Sequence, residues 1–145
     1  WGEGRAQLPD WAIESFRLSF ATRHLFDANF PLADRVCRLP DLPDGPKISE
    51  PEAALLEMLS EVGVSEGVEE TRNIMEGMFR VRPSRICQAV SSCRMVKAIR
   101  LCVLWATEFN LEWAEAARDA VPDAKRKGRW VGKLPNGNTL TLPEL

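Results

Sequence analysis

Ile48-Ser49-Glu50-Pro51-Glu52-Ala53-Ala54-Leu55-Leu56-Glu57-Met58-Leu59 is the stretch at which the periodicity of this chain changes. Ser49-Glu50-Pro51-Glu52 fits a capping box, with the Ser49 hydroxyl accepting from the Glu52 N–H and the Glu52 carboxylate accepting from the Ser49 N–H. Pro51 is tolerated in a first turn because its missing N–H would have no intrahelical partner. Ala53, Leu56 and Leu59, joined by Leu55, form an apolar face at helical spacing, and Gly63 supplies the stop. Upstream of this stretch the chain reads as short extended runs and turns. Downstream it reads as helices as far as residue 120.

Upstream, Phe16-Arg17-Leu18-Ser19-Phe20-Ala21 alternates apolar and polar residues, the pattern of a half-buried strand, and Leu25–Phe30 extends or follows it. Arg35-Val36-Cys37-Arg38-Leu39 reads as a second strand. Asp41-Leu42-Pro43-Asp44-Gly45-Pro46 is a turn by composition, and Lys47-Ile48 is a short extended entry to the first helix. Downstream, Val68–Met78 is a second helix and Pro83-Ser84 opens a third, with Ile86, Ala89 and Val90 inward. Met95–Phe109 is the longest and most apolar helix. Asn110 is placed to cap a further helix over Leu111–Ala120, closed by Pro122. Arg129–Leu134 and Thr139–Leu142 flank Pro135-Asn136-Gly137-Asn138, a strong hairpin signal. The order predicts an α+β fold: short N-terminal strands, four to five helices and a C-terminal β-hairpin packed in one domain over residues 1–145, with the terminal strands candidates for a shared sheet.

A chain of 145 residues, 45% apolar and 28% charged, is of ordinary single-domain size and composition. It can bury enough surface to fold without disulfides or a metal. No apolar run is long enough to span a membrane, and the polar start Trp1-Gly2-Glu3-Gly4-Arg5 has no signal-peptide character, so a cytoplasmic location is the expectation. Trp1 is not a natural translation start, so the chain is expected to be a piece of a longer protein.

Catalytic constellations are missing from the sequence: there is no G-x-S-x-G, no Walker loop, no G-x-G-x-x-G and no H-E-x-x-H. His24 is the only histidine, so no histidine pair can hold a metal. In Thr22-Arg23-His24 it reads as a satisfied histidine at a strand end rather than a general base. Cys37, Cys87, Cys93 and Cys102 lack C-x2-C spacing and read as buried thiols filling space on helix faces, Cys87 being the one nearest polar neighbours. A metal nuclease of the PD…(D/E)xK kind finds its acid–x–Lys spacing only in Asp123-Ala124-Lys125, within a charged loop and off any apolar strand. The expectation is therefore a non-enzyme, with no catalytic residue, no metal and no cofactor.

The net charge of −2 hides an asymmetry, because residues 1–70 carry −8 and residues 71–145 carry +6. Either the two halves attract each other within the fold, or the second half meets an acidic or polyanionic partner. Arg72, Arg80, Arg82, Arg85, Arg94, Lys97 and Arg100 fall between 71 and 100 against a single acid, Glu76. Arg94, Lys97 and Arg100 are spaced three apart, which suits one helix face or its lead-in. Lys125-Arg126-Lys127-Gly128-Arg129 is a second cluster. Guanidinium groups at this density suit phosphates or carboxylates. Arg82, Arg85, Arg94, Lys97 and Arg100, followed by Lys125, Arg126, Lys127 and Arg129, are thus the candidate partner- or nucleic-acid-binding residues. Aromatic residues are not interleaved with these clusters as in single-strand binders, Trp130 beside Arg129 excepted.

Several segments together carry a family resemblance: Ile48–Leu59, Glu69–Met78, Arg82-Pro83-Ser84-Arg85, Met95–Glu108 with its V-K-x-x-R-L core, Trp113, and the closing Gly128-Arg129-Trp130-Val131-Gly132-Lys133-Leu134 with Thr139-Leu140-Thr141-Leu142-Pro143. In this order and spacing they resemble the C-terminal domain of AbiEi-family antitoxins. The match is good over 45–145 and weaker over 1–44, through Leu8-Pro9-x-Trp11. The resemblance implies an antitoxin that counteracts a nucleotidyltransferase-like toxin, in systems several of which act in abortive infection by phage. It also implies a partner toxin, engaged directly or functionally, and repression through an N-terminal winged helix-turn-helix. No such segment precedes residue 1, so contact with operator DNA is expected only through a domain that this chain lacks. Asn136-Gly137-Asn138 departs from the family's more basic turn.

Overall fold

The structure, a computed structural model, describes residues 24–134 and 137–145. It is α+β. Helix α1 (Leu32–Arg35) leads into strands β1 (Val36–Cys37) and β2 (Ile48–Ser49). Helices α2 (Pro51–Glu61), α3 (Val68–Glu76), α4 (Pro83–Ser92), α5 (Val96–Glu108) and α6 (Ala114–Asp119) follow. The one-turn helix α7 (Asp123–Arg126) precedes strands β3 (Trp130–Lys133) and β4 (Thr139–Leu142). The alternating run 16–21 lies outside the described residues. Leu25–Phe30 forms no strand; Phe26 makes a single antiparallel bridge to Cys93 before the chain turns.

Within the described residues the strands form two separate two-stranded sheets, so the shared terminal sheet is not formed. β1 pairs antiparallel with β2 in the register Val36↔Ser49 and Cys37↔Ile48. The loop between them is the turn that its prolines and Gly45 call for. Arg38 pins it by donating to the carbonyls of Pro43 and Gly45 at 2.9 and 2.8 Å. β3 and β4 form the C-terminal hairpin, Trp130↔Leu142 through Lys133↔Thr139. Gly137 takes φ +84° at its turn, a conformation glycine adopts without steric cost.

One core runs through the helices. α5 is its axis, packed against α2, α3 and α6, with β4 laid along it. Ala98, Ile99, Leu101, Cys102, Val103 and Ala106 are fully buried on nearly every side of α5, as a helix apolar all round requires. Ala53, Leu55, Leu56 and Leu59 meet it from α2, and Ile86, Ala89 and Val90 from α4.

Two helix termini differ from expectation. Glu50, not Ser49, is the N-cap of α2, and no side chain caps it. Ser49 is held in the β1–β2 ladder and donates to the Glu57 carboxylate at 2.8 Å. Glu52 is drawn away to Arg82. Asn110 does not open a helix; it ends α5. At φ +53° it sits in the left-handed region, its N–H reaches the Thr107 carbonyl and the Leu111 N–H reaches that of Ala106, the paired bonds of a Schellman stop. α6 consequently starts at Ala114, three residues later than the apolar pattern suggests. Gly63 does end α2, at φ +73°.

Candidate functional site

The basic residues fall into two groups by what their side chains touch. Arg82 precedes α4 and is engaged internally. Its guanidinium meets Glu50 and Glu52, and both its Nε and its backbone N–H donate to Glu52 Oε1, at 3.0 and 2.9 Å. Glu52 is 1% exposed. Burial by itself pushes its carboxyl up, but the Arg82 side-chain and backbone N–H groups outweigh that and hold it below the ordinary carboxylate range. The cation and the two acids come from the basic and acidic halves, so part of the charge asymmetry is satisfied inside the fold.

Lys97 and Arg100, read as part of one basic face, are on α5 and only 7% and 2% exposed. Lys97 Nζ donates to the Val62 carbonyl at 2.8 Å, tying α5 to the end of α2. Arg100 gathers the C-terminal segment. Its Nη1 donates to the carbonyls of Gly128, Leu142 and Pro143, and its Nη2 to those of Lys125, Arg126 and Lys127. Arg126 donates to the Arg118, Asp119 and Val121 carbonyls. Lys125 Nζ reaches the Cys93 carbonyl at 2.5 Å. Arg85 makes a long bond of 3.3 Å to Gln88. Arg94, Lys127 and Arg129 are exposed and have no side-chain partner among the described residues.

Arg94 lies in the three-residue link between α4 and α5, not on the helix. The link is fixed by pairing with residues 25–27: the Arg94 N–H donates to the Leu25 carbonyl at 2.7 Å and the Asp27 N–H to that of Ser92 at 2.9 Å. Beside it opens a groove of about 730 Å³, lined by His24, Leu25, Ser60, Val64, Arg94, Met95, Val96, Lys97 and Trp130. The groove therefore joins the two sequence clusters. Arg94 comes from the first, and Trp130 directly follows the second. Its walls are mostly apolar, and no carboxylate is among the described lining residues. His24 is exposed at its edge and makes no hydrogen bond to the described residues.

Nucleophilic chemistry has little to work with. Cys93 and Cys102 are buried, and burial pushes the Cys93 thiol up to about 11 and the Cys102 thiol further. Cys37 and Cys87, half-buried, are raised as well, chiefly by burial. Thiols so raised remain protonated and unreactive at neutral pH. Asp123-Ala124-Lys125 is helical, in α7. Among the described residues no three His, Cys, Asp or Glu side chains converge as metal ligands, and no helix is long and apolar enough to cross a membrane.

No curated protein and no solved structure shows a significant match to the chain. A family model described as "Transcriptional regulator, AbiEi antitoxin, Type IV TA system" matches residues 1–141, reaching back through the segment where the resemblance in the sequence is weakest. With nearly the whole chain covered, the protein belongs to the AbiEi antitoxin family of type IV toxin–antitoxin systems.

Proposed function

We propose that this chain is a non-catalytic antitoxin domain, acting in the cytoplasm, that counteracts a nucleotidyltransferase-like toxin in a system serving phage defence. The observation carrying this reading is the family match over residues 1–141. Contact runs through the exposed cations Arg94, Lys127 and Arg129, with half-buried Arg85, at the start of α4, a further candidate. Arg82, Lys97, Arg100, Lys125 and Arg126 are engaged inside the fold and act as fasteners. In cells producing the toxin, charge reversal at Arg94, Lys127 and Arg129 together should abolish growth rescue while the melting temperature stays unchanged. Full rescue by this triple variant would remove the basic edge from the mechanism.

A second reading is a regulator that contacts nucleic acid, favoured by the word "regulator" in the family description and by the same unpaired cations. It requires affinity for the chain's own operator that drops steeply as salt rises. Salt-insensitive retention, or none, counts against it.

A further inference from the structure

We propose that the groove beside Arg94 is a binding site for single-stranded nucleic acid, with one unstacked base resting on the Trp130 indole and its phosphate at the Arg94 guanidinium. The sequence keeps aromatic and basic residues apart, but the fold brings one of each together. Trp130 is half-buried, packs against the edge of the core, lines the groove, and lays its ring over Gly132. A Cβ built at 132 would come within 2.3 Å of the indole and 2.9 Å of two further ring atoms. Glycine is thus the residue that lets the ring lie flat on the hairpin. Leu25, Val64, Met95 and Val96 wall the groove with apolar surface suited to the faces and edges of a base. Lys97 has given its ammonium to the Val62 carbonyl, so Arg94 is the cation left at the mouth for an incoming anion.

Positive charge continues outside the groove. Lys125 Nζ, on the Cys93 carbonyl, brings the 125–129 segment against the residue preceding Arg94. Lys127 and Arg129, two and four residues further along that segment, are exposed. An aromatic wall with Arg94 at its rim, further exposed cations in the adjoining segment and no carboxylate among the described lining residues complements a polyanion that carries a π-face on each unit. A groove of about 730 Å³ has room for a base and its sugar. An apolar peptide with one carboxylate is the competing occupant. It would fill the walls and use Arg94, but it would leave the outer cations without a role.

The inference does not depend on the antitoxin reading, because it is tested on the purified chain with no toxin present. The probe is a fluorescein-labelled single-stranded RNA of about ten nucleotides, read by anisotropy across a salt series. The expected result is binding that weakens with salt, a slope of about −0.7 for each phosphate contacted, and a loss of about tenfold in Trp130→Leu. Arg94→Gln should weaken binding several-fold and flatten the slope by one phosphate. Since Arg94 is exposed, that variant keeps the fold and decides the matter even where Trp130→Leu does not fold. Three results would each overturn the proposal: no anisotropy change at low salt, affinity and slope unchanged in Arg94→Gln, or equal affinity for a duplex of the same sequence. An acidic apolar peptide that binds where the RNA does not would overturn it as well and give the groove to a protein partner.

Discussion

Replacing Arg100 with methionine tests whether this cation is a structural fastener or part of a binding face. Methionine keeps an unbranched apolar stem but removes every donor. In the native protein the two terminal nitrogens serve six carbonyls from two segments, 125–128 and 142–143. Four hydrogens cannot make six full bonds. The contacts to Pro143 at 2.9 Å and to Lys127 at 2.8 Å, with the close one to Gly128, carry most of the interaction, and those at 3.2–3.4 Å share hydrogens. A hydrogen bond to a charged donor contributes about 1.5–3 kcal/mol, but bonds within one network do not add. The cost of disrupting a buried charged network, about 3–5 kcal/mol, is the working figure. For a domain of this size that lowers the melting temperature by roughly 10–15 °C. Circular dichroism during urea and thermal unfolding measures the loss. Hydrogen exchange at the amides of 126–129 and 142–145 should accelerate first, because the fastener holds those segments. A loss under about 1 kcal/mol, with exchange unchanged there, would refute the reasoning, since these carbonyls would then find other partners at no cost.

Three further outcomes follow from Glu52, Glu57 and one glycine. The Glu52 carboxyl is held down by Arg82, so its stabilising contribution is present above the ordinary carboxylate range and is lost as pH falls through the depressed folded value; in Glu52→Gln the acid limb of a stability–pH curve should flatten. Glu57 runs the other way. Burial raises its carboxyl despite the Ser49 hydrogen bond, and its Oε1 is buried without a hydrogen-bond partner. Stability is lost as pH rises through that raised value, so Glu57→Gln should be the more stable protein at pH 7, by roughly 1 kcal/mol. The two urea midpoints should converge in acid. Gly63→Ala should cost more than about 1 kcal/mol by denaturant unfolding, because φ is +73° and a Cβ there would meet the Leu134 side chain at 2.1 Å.

The elements were legible where one local rule dominates. Pro51 and Pro83 each stand at the start of a helix, Gly63 ends one, and Gly137 turns the hairpin. What failed were places where a long-range partner outbids a local one. Ser49-x-x-Glu52 is a sound capping box until Arg82, thirty residues away, supplies three N–H groups to the same carboxylate. Asn110 suits an N-cap as well as a left-handed stop, and the choice depends on where Leu111 can be buried. The candidate site was half legible. Spacing put Lys97 and Arg100 on one face but did not say that the face points inward. The signal lay in α5 itself: a helix apolar on nearly every side has no solvent face, so its cations need internal acceptors. The meeting of Arg94 with Trp130 comes from tertiary packing alone and has no local trace in the sequence.

The central reading is tested most directly by colony counts after induction of the proposed toxin partner, with and without this chain produced in the same cells. An antitoxin domain restores viability to the uninduced level, and the restoration disappears in the Arg94, Lys127 and Arg129 charge-reversed variant. Viability that stays at the toxin-only level while the chain accumulates folded would contradict it.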